Sequence, residues 1–172
     1  MKAALLTTIL LIIGAVAATA CSCEGAPTVE DGLEYSEVVV SGTVESVKRV
    51  LLTQADGRIV DREANQRVAP NFFDSIYVNE VRLCITQTYK GLDGDCEIII
   101  YTSTSGASCG ISFIIGEPYT VYGHRNQMFG GLGKGLNYRR GHNVIWTHSC
   151  TRTNHNDDDE DLRLQAIISN RR

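Results

Sequence analysis

The sequence predicts a mainly β fold, a small closed barrel of five strands followed by a C-terminal helix and held by disulfides. Five segments rich in β-branched and aromatic residues alternate with irregular, glycine-containing connections. Six cysteines, an even number, all follow an apolar leader. Because cysteines in small exported domains are usually oxidised in pairs, we expect disulfides rather than free thiols.

The leader, residues 1–20, has the layout of a secretory signal peptide. Lys2 supplies the positive start, an apolar stretch follows, and Ala18-Thr19-Ala20 forms an A-x-A cleavage site. We expect cleavage after Ala20, so that a secreted, extracellular protein begins at Cys21.

The leader has two other interpretations, a membrane anchor and a bacterial lipoprotein signal. The apolar stretch is near the lower length limit of a spanning helix, but a membrane anchor is less favoured because the A-x-A end is what a peptidase needs and an anchor does not. A bacterial lipoprotein signal usually has a larger aliphatic residue three places before the cysteine, where this chain has Ala18.

Residues 21–172 have the length of one domain with a sizeable core. The formal net charge is −4, and removal of the leader takes away only Lys2, which leaves −5. No basic stripe with interleaved aromatic residues is present, so we expect no nucleic-acid partner. We also expect no membrane association and a monomer.

The first strand is predicted from Val38 through Val47, with a bulge or bend at Gly42. Residues 52–73 are polar and irregular, and Asp56-Gly57 marks a turn there. The other four strands are predicted, in order, over residues 76–89, 96–101, 119–122 and roughly 136–148.

The tail is predicted to be helical. An acidic run, residues 157–161, precedes a loose stripe of Leu162, Leu164, Ile167 and Ile168, and acidic residues suit a helix start. The run lacks the spaced ligands of an EF-hand loop, so we expect a solvated helix start rather than a calcium site. Five strands with irregular connections and this helix suggest an OB-type barrel.

The predicted N-terminus has a distinctive chemistry. A free Cys21 would carry an α-amine and a carbonyl, which can close a five-membered chelate ring on a metal ion, with the short hydroxyl of Ser22 beside it. If disulfides fix this residue, it becomes a rigid ligand for another protein's zinc. The thiols themselves do not suggest a metal site, because Cys21-x-Cys23 is not a zinc-finger spacing.

Five segments together resemble a known family: Cys21-Ser22-Cys23, Val38-Val39-Val40-Ser41-Gly42, Thr88-Tyr89-Lys90-Gly91, Ser108-Cys109-Gly110 and Thr147-His148-Ser149-Cys150. They look like the inhibitory domain of the tissue inhibitors of metalloproteinases, which is a netrin-like module with an OB barrel. The resemblance covers nearly all of residues 21–170 and only the family's N-terminal domain.

The resemblance implies disulfides Cys21–Cys109 and Cys23–Cys150. Cys84 and Cys96 are left over, flanking the turn between the second and third strands, and we expect them to pair with each other. The family's own third bridge joins an early cysteine to the C-terminal helix, but Leu33 occupies that neighbourhood here. Glu24-Gly25-Ala26 replaces the family's usual aliphatic residue and proline, which leaves this edge more flexible.

The resemblance also implies a function, inhibition of secreted or cell-surface zinc metalloproteinases of the extracellular matrix. The chain would not be an enzyme and would have no cofactor of its own, because the zinc bound by Cys21 belongs to the protease. Two segments are expected to contact the protease: Cys21, Ser22, Cys23 and Glu24, and the loop residues Gly106, Ala107 and Ser108.

Two alternatives stay open. The cysteines at 21 and 23 could serve only to attach a loose N-terminus, and the chain could be a netrin-like binding module that recognises matrix or receptor proteins without inhibiting a protease. No motif indicates an enzyme or a phosphate-binding protein. The four histidines lack zincin spacing, residues 130–135 do not fit a phosphate loop, and no nucleophile elbow is present.

Overall fold

The described part of the chain is mainly β, with one curled, half-barrel-like sheet and a C-terminal helix. The computed structural model describes residues 23, 25, 27–53, 59–61, 75–125, 143–155 and 158–170. Its elements are α1 (Val29–Tyr35), β1 (Val38–Thr53), β2 (Ile59–Asp61), β3 (Ser75–Lys90), β4 (Glu97–Ser103), a 3₁₀ turn (Gly106–Ser108), β5 (Pro118–Gly123), β6 (Val144–Trp146), β7 (Asn154–His155) and α2 (Asp158–Asn170). The predicted mainly β class and terminal helix are therefore confirmed.

The described strands form one sheet in the order β6-β4-β3-β1-β5-β7, and β2 pairs with β1 outside this path. β4 and β6 are parallel, whereas the other described pairs are antiparallel. Beyond the end of β5, His124 and Trp146 exchange two backbone hydrogen bonds of 2.9 and 2.8 Å. This bridge joins the β5 side of the sheet to β6 on the other side.

The bulge predicted at Gly42 is confirmed. The β1–β3 register shifts between Ser41 and Gly42, and again on either side of that step. A Cβ at Gly42 would lie 2.3 Å from the Cys84 carbonyl oxygen, so only glycine fits where the two backbones approach.

Both faces of β1 are buried at its start. Val38, Val40 and Val44 point into the main core inside the curl, because alternate residues of a strand share a face. Val39 points the other way, into a second core between the sheet and the two helices. That second core contains Val29, Leu33, Val39, Tyr89, Tyr122 and Leu164.

The tail prediction is right for most of its stripe and wrong for Leu162. Leu164 is fully buried and Ile167 and Ile168 pack against the same cluster, as expected of residues three and four apart. Leu162 is 64% exposed, since two residues turn a helix to its opposite side. No helix among the described residues combines the length and apolarity that a membrane span requires.

Candidate functional site

Four of the predicted contact residues are described: Cys23, Gly106, Ala107 and Ser108. The other three, Cys21, Ser22 and Glu24, lie outside the described residues. The leader, residues 1–20, which is predicted to be a signal peptide, lies outside them as well. The described residues nevertheless show what surrounds Cys23.

Cys23 is bonded to Cys150, as the resemblance implied, with a Cα–Cα distance of 5.3 Å across 127 residues of chain. The segment after it turns sharply, since the Gly25 N–H donates to the Cys23 carbonyl (2.8 Å) and Gly25 has a φ of +82°. Further on, the Arg152 guanidinium donates to the Pro27 carbonyl at 2.7 Å. The entering chain is thus attached twice to residues 150–152.

The turn that carries Cys150 is closed by its own hydrogen bonds. The N–H and the hydroxyl of Thr151 both donate to the His148 carbonyl, at 2.9 and 2.7 Å. The Cys150 N–H donates to Nδ1 of His148 at 3.1 Å. On the side facing the sheet, the buried Thr147 hydroxyl donates to the Tyr122 carbonyl (2.9 Å), which fixes the turn to β5.

The loop at residues 105–110 is a compact, exposed projection. The Ser105 carbonyl accepts hydrogen bonds from the N–H groups of Ser108 (3.1 Å) and Gly110 (2.8 Å). Cys109 has a φ of 59°, a left-handed conformation that is uncommon for residues other than glycine. Residues 105–108 are exposed whereas Cys109 is buried, so the loop presents its tip to solvent from a fixed base.

The two parts of the predicted contact surface meet through one backbone hydrogen bond. The Ser149 N–H donates to the Cys109 carbonyl at 2.8 Å. The turn that holds Cys23 therefore lies against the base of the 105–110 loop. Cys109 is also disulfide-bonded, and its partner is not among the described residues.

The predicted Cys84–Cys96 bond is wrong, because both residues are free, exposed thiols. The β3–β4 register places Cys84 opposite Glu97, and Ile85 donates its N–H to the Cys96 carbonyl. Side chains alternate along a strand, so Cys84 shares a face with Glu97 while its neighbour Cys96 does not. A disulfide would need Cys84 and Cys96 on the same face of the hairpin, and the observed register is one residue away from that arrangement.

A buried polar cluster that the sequence did not predict fixes the C-terminal helix. Glu160, expected on a solvated helix start, is 5% exposed. Its carboxylate accepts from the Tyr122 hydroxyl (2.6 Å) and from Nε and Nη2 of Arg152 (3.0 and 2.9 Å). Asp161 accepts from the Ser41 hydroxyl at 2.9 Å. The expectation of solvated acids therefore fails for Glu160 and Asp161, because Ser41, Tyr122 and Arg152 supply hydrogen-bond donors, whereas Asp159 is exposed as expected.

Two histidines near the Cys150 turn are electrostatically perturbed. Burial lowers the pKa of His148, and the nearby His124 lowers it further. Burial also lowers the pKa of His124, Glu37 opposes this shift and Lys90 adds to it. Both rings are therefore favoured in the neutral form near neutral pH.

Among the described residues, no group of three or more His, Cys, Asp or Glu side chains is arranged to hold a metal ion. No protein-family model matches the chain, and a comparison with curated proteins finds no match. The basis for a function is therefore the sequence motifs together with the geometry of the described residues.

Proposed function

We propose that the chain is an exported inhibitor of zinc metalloproteinases that binds through its mature N-terminus. The α-amine and carbonyl of Cys21 would bind the protease zinc, and Ser22 would fill the adjacent pocket. Glu24 would extend this contact along the cleft. The exposed Gly106, Ala107 and Ser108 would form the second part of the contact surface.

The observation that carries the proposal is the junction between Cys23 and the 105–110 loop. Cys23 is bonded to Cys150, and the adjacent Ser149 donates to the Cys109 carbonyl. Cys23 and the 105–110 loop, more than 80 positions apart in the chain, are thereby held side by side, and Cys23 and residues 105–108 are exposed. A contact surface formed before binding avoids part of the ordering cost of association.

The Cys23–Cys150 bond supports a rigid surface for a second reason. It closes a loop of 127 residues, and in the chain-entropy account a loop of that length stabilises the folded state by about 5 kcal/mol. Cys23 is thus attached to a stable core.

We further propose that the curled sheet is a closed OB-type barrel of the netrin-like kind. Three observations support this topology: β1 pairs with both β3 and β5, β4 and β6 run parallel, and the His124–Trp146 bridge connects β6 to the β5 side. Those pairings would give a ring of five strands with short closing contacts.

The chemistry of the proposed contact is simple. A catalytic zinc keeps one position open for water, and a ligand in that position prevents water activation. An amine binds a metal only through its uncharged form, and an ordinary α-amine titrates near about 7.7–8.0. A neutral fraction therefore exists at physiological pH.

The experiment that tests the function is a competition assay. The mature protein should inhibit a zinc endopeptidase, and a small zinc-chelating ligand of the protease active site should reduce its binding in direct competition. A matrix- or receptor-binding module would leave protease activity unchanged. Binding to the protease without competition would place the contact away from the zinc and contradict the proposal.

A further inference from the structure

One hydrogen bond of the turn that holds Cys23 requires a neutral histidine. The Cys150 N–H donates to Nδ1 of His148 at 3.1 Å. A ring nitrogen accepts a hydrogen bond only when it carries no proton. Protonation of Nδ1 would convert the acceptor into a donor facing another donor, so the hydrogen bond would be lost.

The surroundings of His148 make this protonation costly. The ring is partly buried, and among the described residues His124, just after β5, is a titratable group that acts on it. His124 in turn lies near Lys90, which disfavours a proton on it, and Glu37, which favours one. A proton on either histidine therefore raises the cost of a proton on the other.

The backbone connects both histidines to the same structure. His124 exchanges hydrogen bonds with Trp146, two residues before His148. His148 accepts the Cys150 N–H, and Cys150 is bonded to Cys23. The protonation state of this pair is therefore linked to Cys23, beside the proposed contact surface, through one hydrogen bond and one disulfide.

We propose that His148, together with His124, is a pH-sensitive switch that holds the Cys23–Cys150 turn in its ordered form at neutral pH and loosens it in acid. This deepens the proposed function and, as a regulator of binding, rests on it. An inhibitor with this switch would bind well at neutral pH and be released in an acidic compartment.

The direction of the pH dependence of stability follows from proton linkage. The pKa of His148 in the folded protein lies below its usual 6.5, chiefly because of burial. Between these two values the unfolded chain binds more protons than the folded one, so acid favours unfolding. The stabilising contribution of neutral His148 is present above about pH 6.5 and is lost as the pH falls through the folded-state pKa.

The first test requires no protease. Nuclear magnetic resonance should show the Cys150 amide resonance moving with the His148 ring between about pH 8 and pH 5, with one midpoint below the usual histidine value. On protonation, exchange of the Cys150 amide, corrected for intrinsic chemistry, should accelerate about fivefold, as expected for loss of one hydrogen bond. A Cys150 resonance that does not follow His148 overturns the switch.

His148→Asn is the matched control. Its Oδ1 can accept the Cys150 N–H from the same branch position as Nδ1, but it does not titrate. The variant should keep the ordered turn at both ends of the pH range. If its Cys150 amide responds to acid as wild type does, another group causes the response and the proposal fails.

The second test concerns regulation. Inhibition of a zinc endopeptidase active in mild acid should weaken more in wild type than in His148→Asn on going from neutral pH to about pH 5.5. Protonation of the N-terminal amine weakens inhibition equally in both proteins, so its effect cancels in this comparison. Equal weakening overturns the regulatory role, whereas absence of inhibition at every pH contradicts the proposed function and leaves the resonance test of the switch intact.

Discussion

Single residues in the motifs that suggested the family have direct structural roles. Lys90 donates from Nζ to the carbonyls of Leu33 (2.7 Å) and Glu34 (3.0 Å) at the end of α1. Gly91 has a φ of +83°, and a Cβ there would lie 2.1 Å from the Glu37 carbonyl oxygen. These residues connect the end of β3 to the helix, so this motif is explained by folding rather than by the proposed contact.

Gly110 in the Cys-Gly motif is required by close packing. A Cβ at this position would lie 2.0 Å from the Ser103 carbonyl oxygen and 2.9 Å from that of Ser105. We predict that Gly110→Ala destabilises the domain by roughly 2 kcal/mol, as overpacking typically does. The measurement is chemical denaturation of wild type and variant.

Gly106→Ala is the control for that prediction. Gly106 is exposed in the same loop, and no atom lies within 4 Å of a Cβ at its position. Its stability should stay close to that of wild type. Equal stability losses in the two variants would mean that the Ser103 contact does not explain the glycine at 110.

At the scale of the elements, four strands could be predicted, whereas the short strands β2 and β7 and the short helix could not. The prediction that residues 52–73 are irregular is wrong where β1 continues to Thr53 and where β2 spans Ile59–Asp61. β-branched runs predicted β1, β3, β4 and β5 because such residues pack well on a pleated, buried surface. The seven-residue helix α1 has too few turns for a periodic pattern. Its capping box, with Thr28 and Asp31 bonded reciprocally, was the signal that could have located it.

The incorrect disulfide has its cause at the same scale. Composition predicted a hairpin around residues 90–95 but not its register, and one residue decides which face each cysteine occupies. Arg82 donates to Glu97 at 3.0 Å on the face that Cys84 shares. Such weak surface pairs cannot be read from a single sequence.

The C-terminal helix is attached without the third bridge that the family resembled by the sequence has. Leu33, in the neighbourhood where the family has its early cysteine, packs in one core with Leu164 of α2. Arg163 donates to Glu30 of α1 at 3.0 Å, and Arg152 pairs with Glu160 of α2 at 2.9 Å. Apolar burial and ion pairs thus connect α2 to α1 and to the turn that carries Arg152.

The buried pair is predicted to be the more important of these contacts. Glu160→Gln removes the charge that Arg152 and the Tyr122 hydroxyl face, and should destabilise the domain by about 3 kcal/mol, since breaking a buried ion pair leaves a charge unpaired. Glu30→Gln, on the exposed pair with Arg163, should change stability little. Thermal or chemical unfolding of both variants checks this order, and a larger effect at Glu30 would contradict it.

At the scale of the whole molecule, the fold brings the two segments of the proposed contact surface next to each other. The curled sheet supplies the Cys109 loop between β4 and β5, and the Cys150 turn follows β6. The parallel β4–β6 pairing and the Ser149–Cys109 hydrogen bond bring these connections together. The sequence could indicate the two segments, but only the strand order explains why they are neighbours.

The most direct test of the account is inhibition of a zinc endopeptidase by three forms of the protein: mature, extended by one alanine before Cys21, and acetylated on the Cys21 amine. An amide has no basic lone pair to give a metal, and acetylation adds less bulk than a residue does. Circular dichroism should show the same fold in all three. The account predicts inhibition by the mature form alone. Equal inhibition by the blocked forms would contradict it.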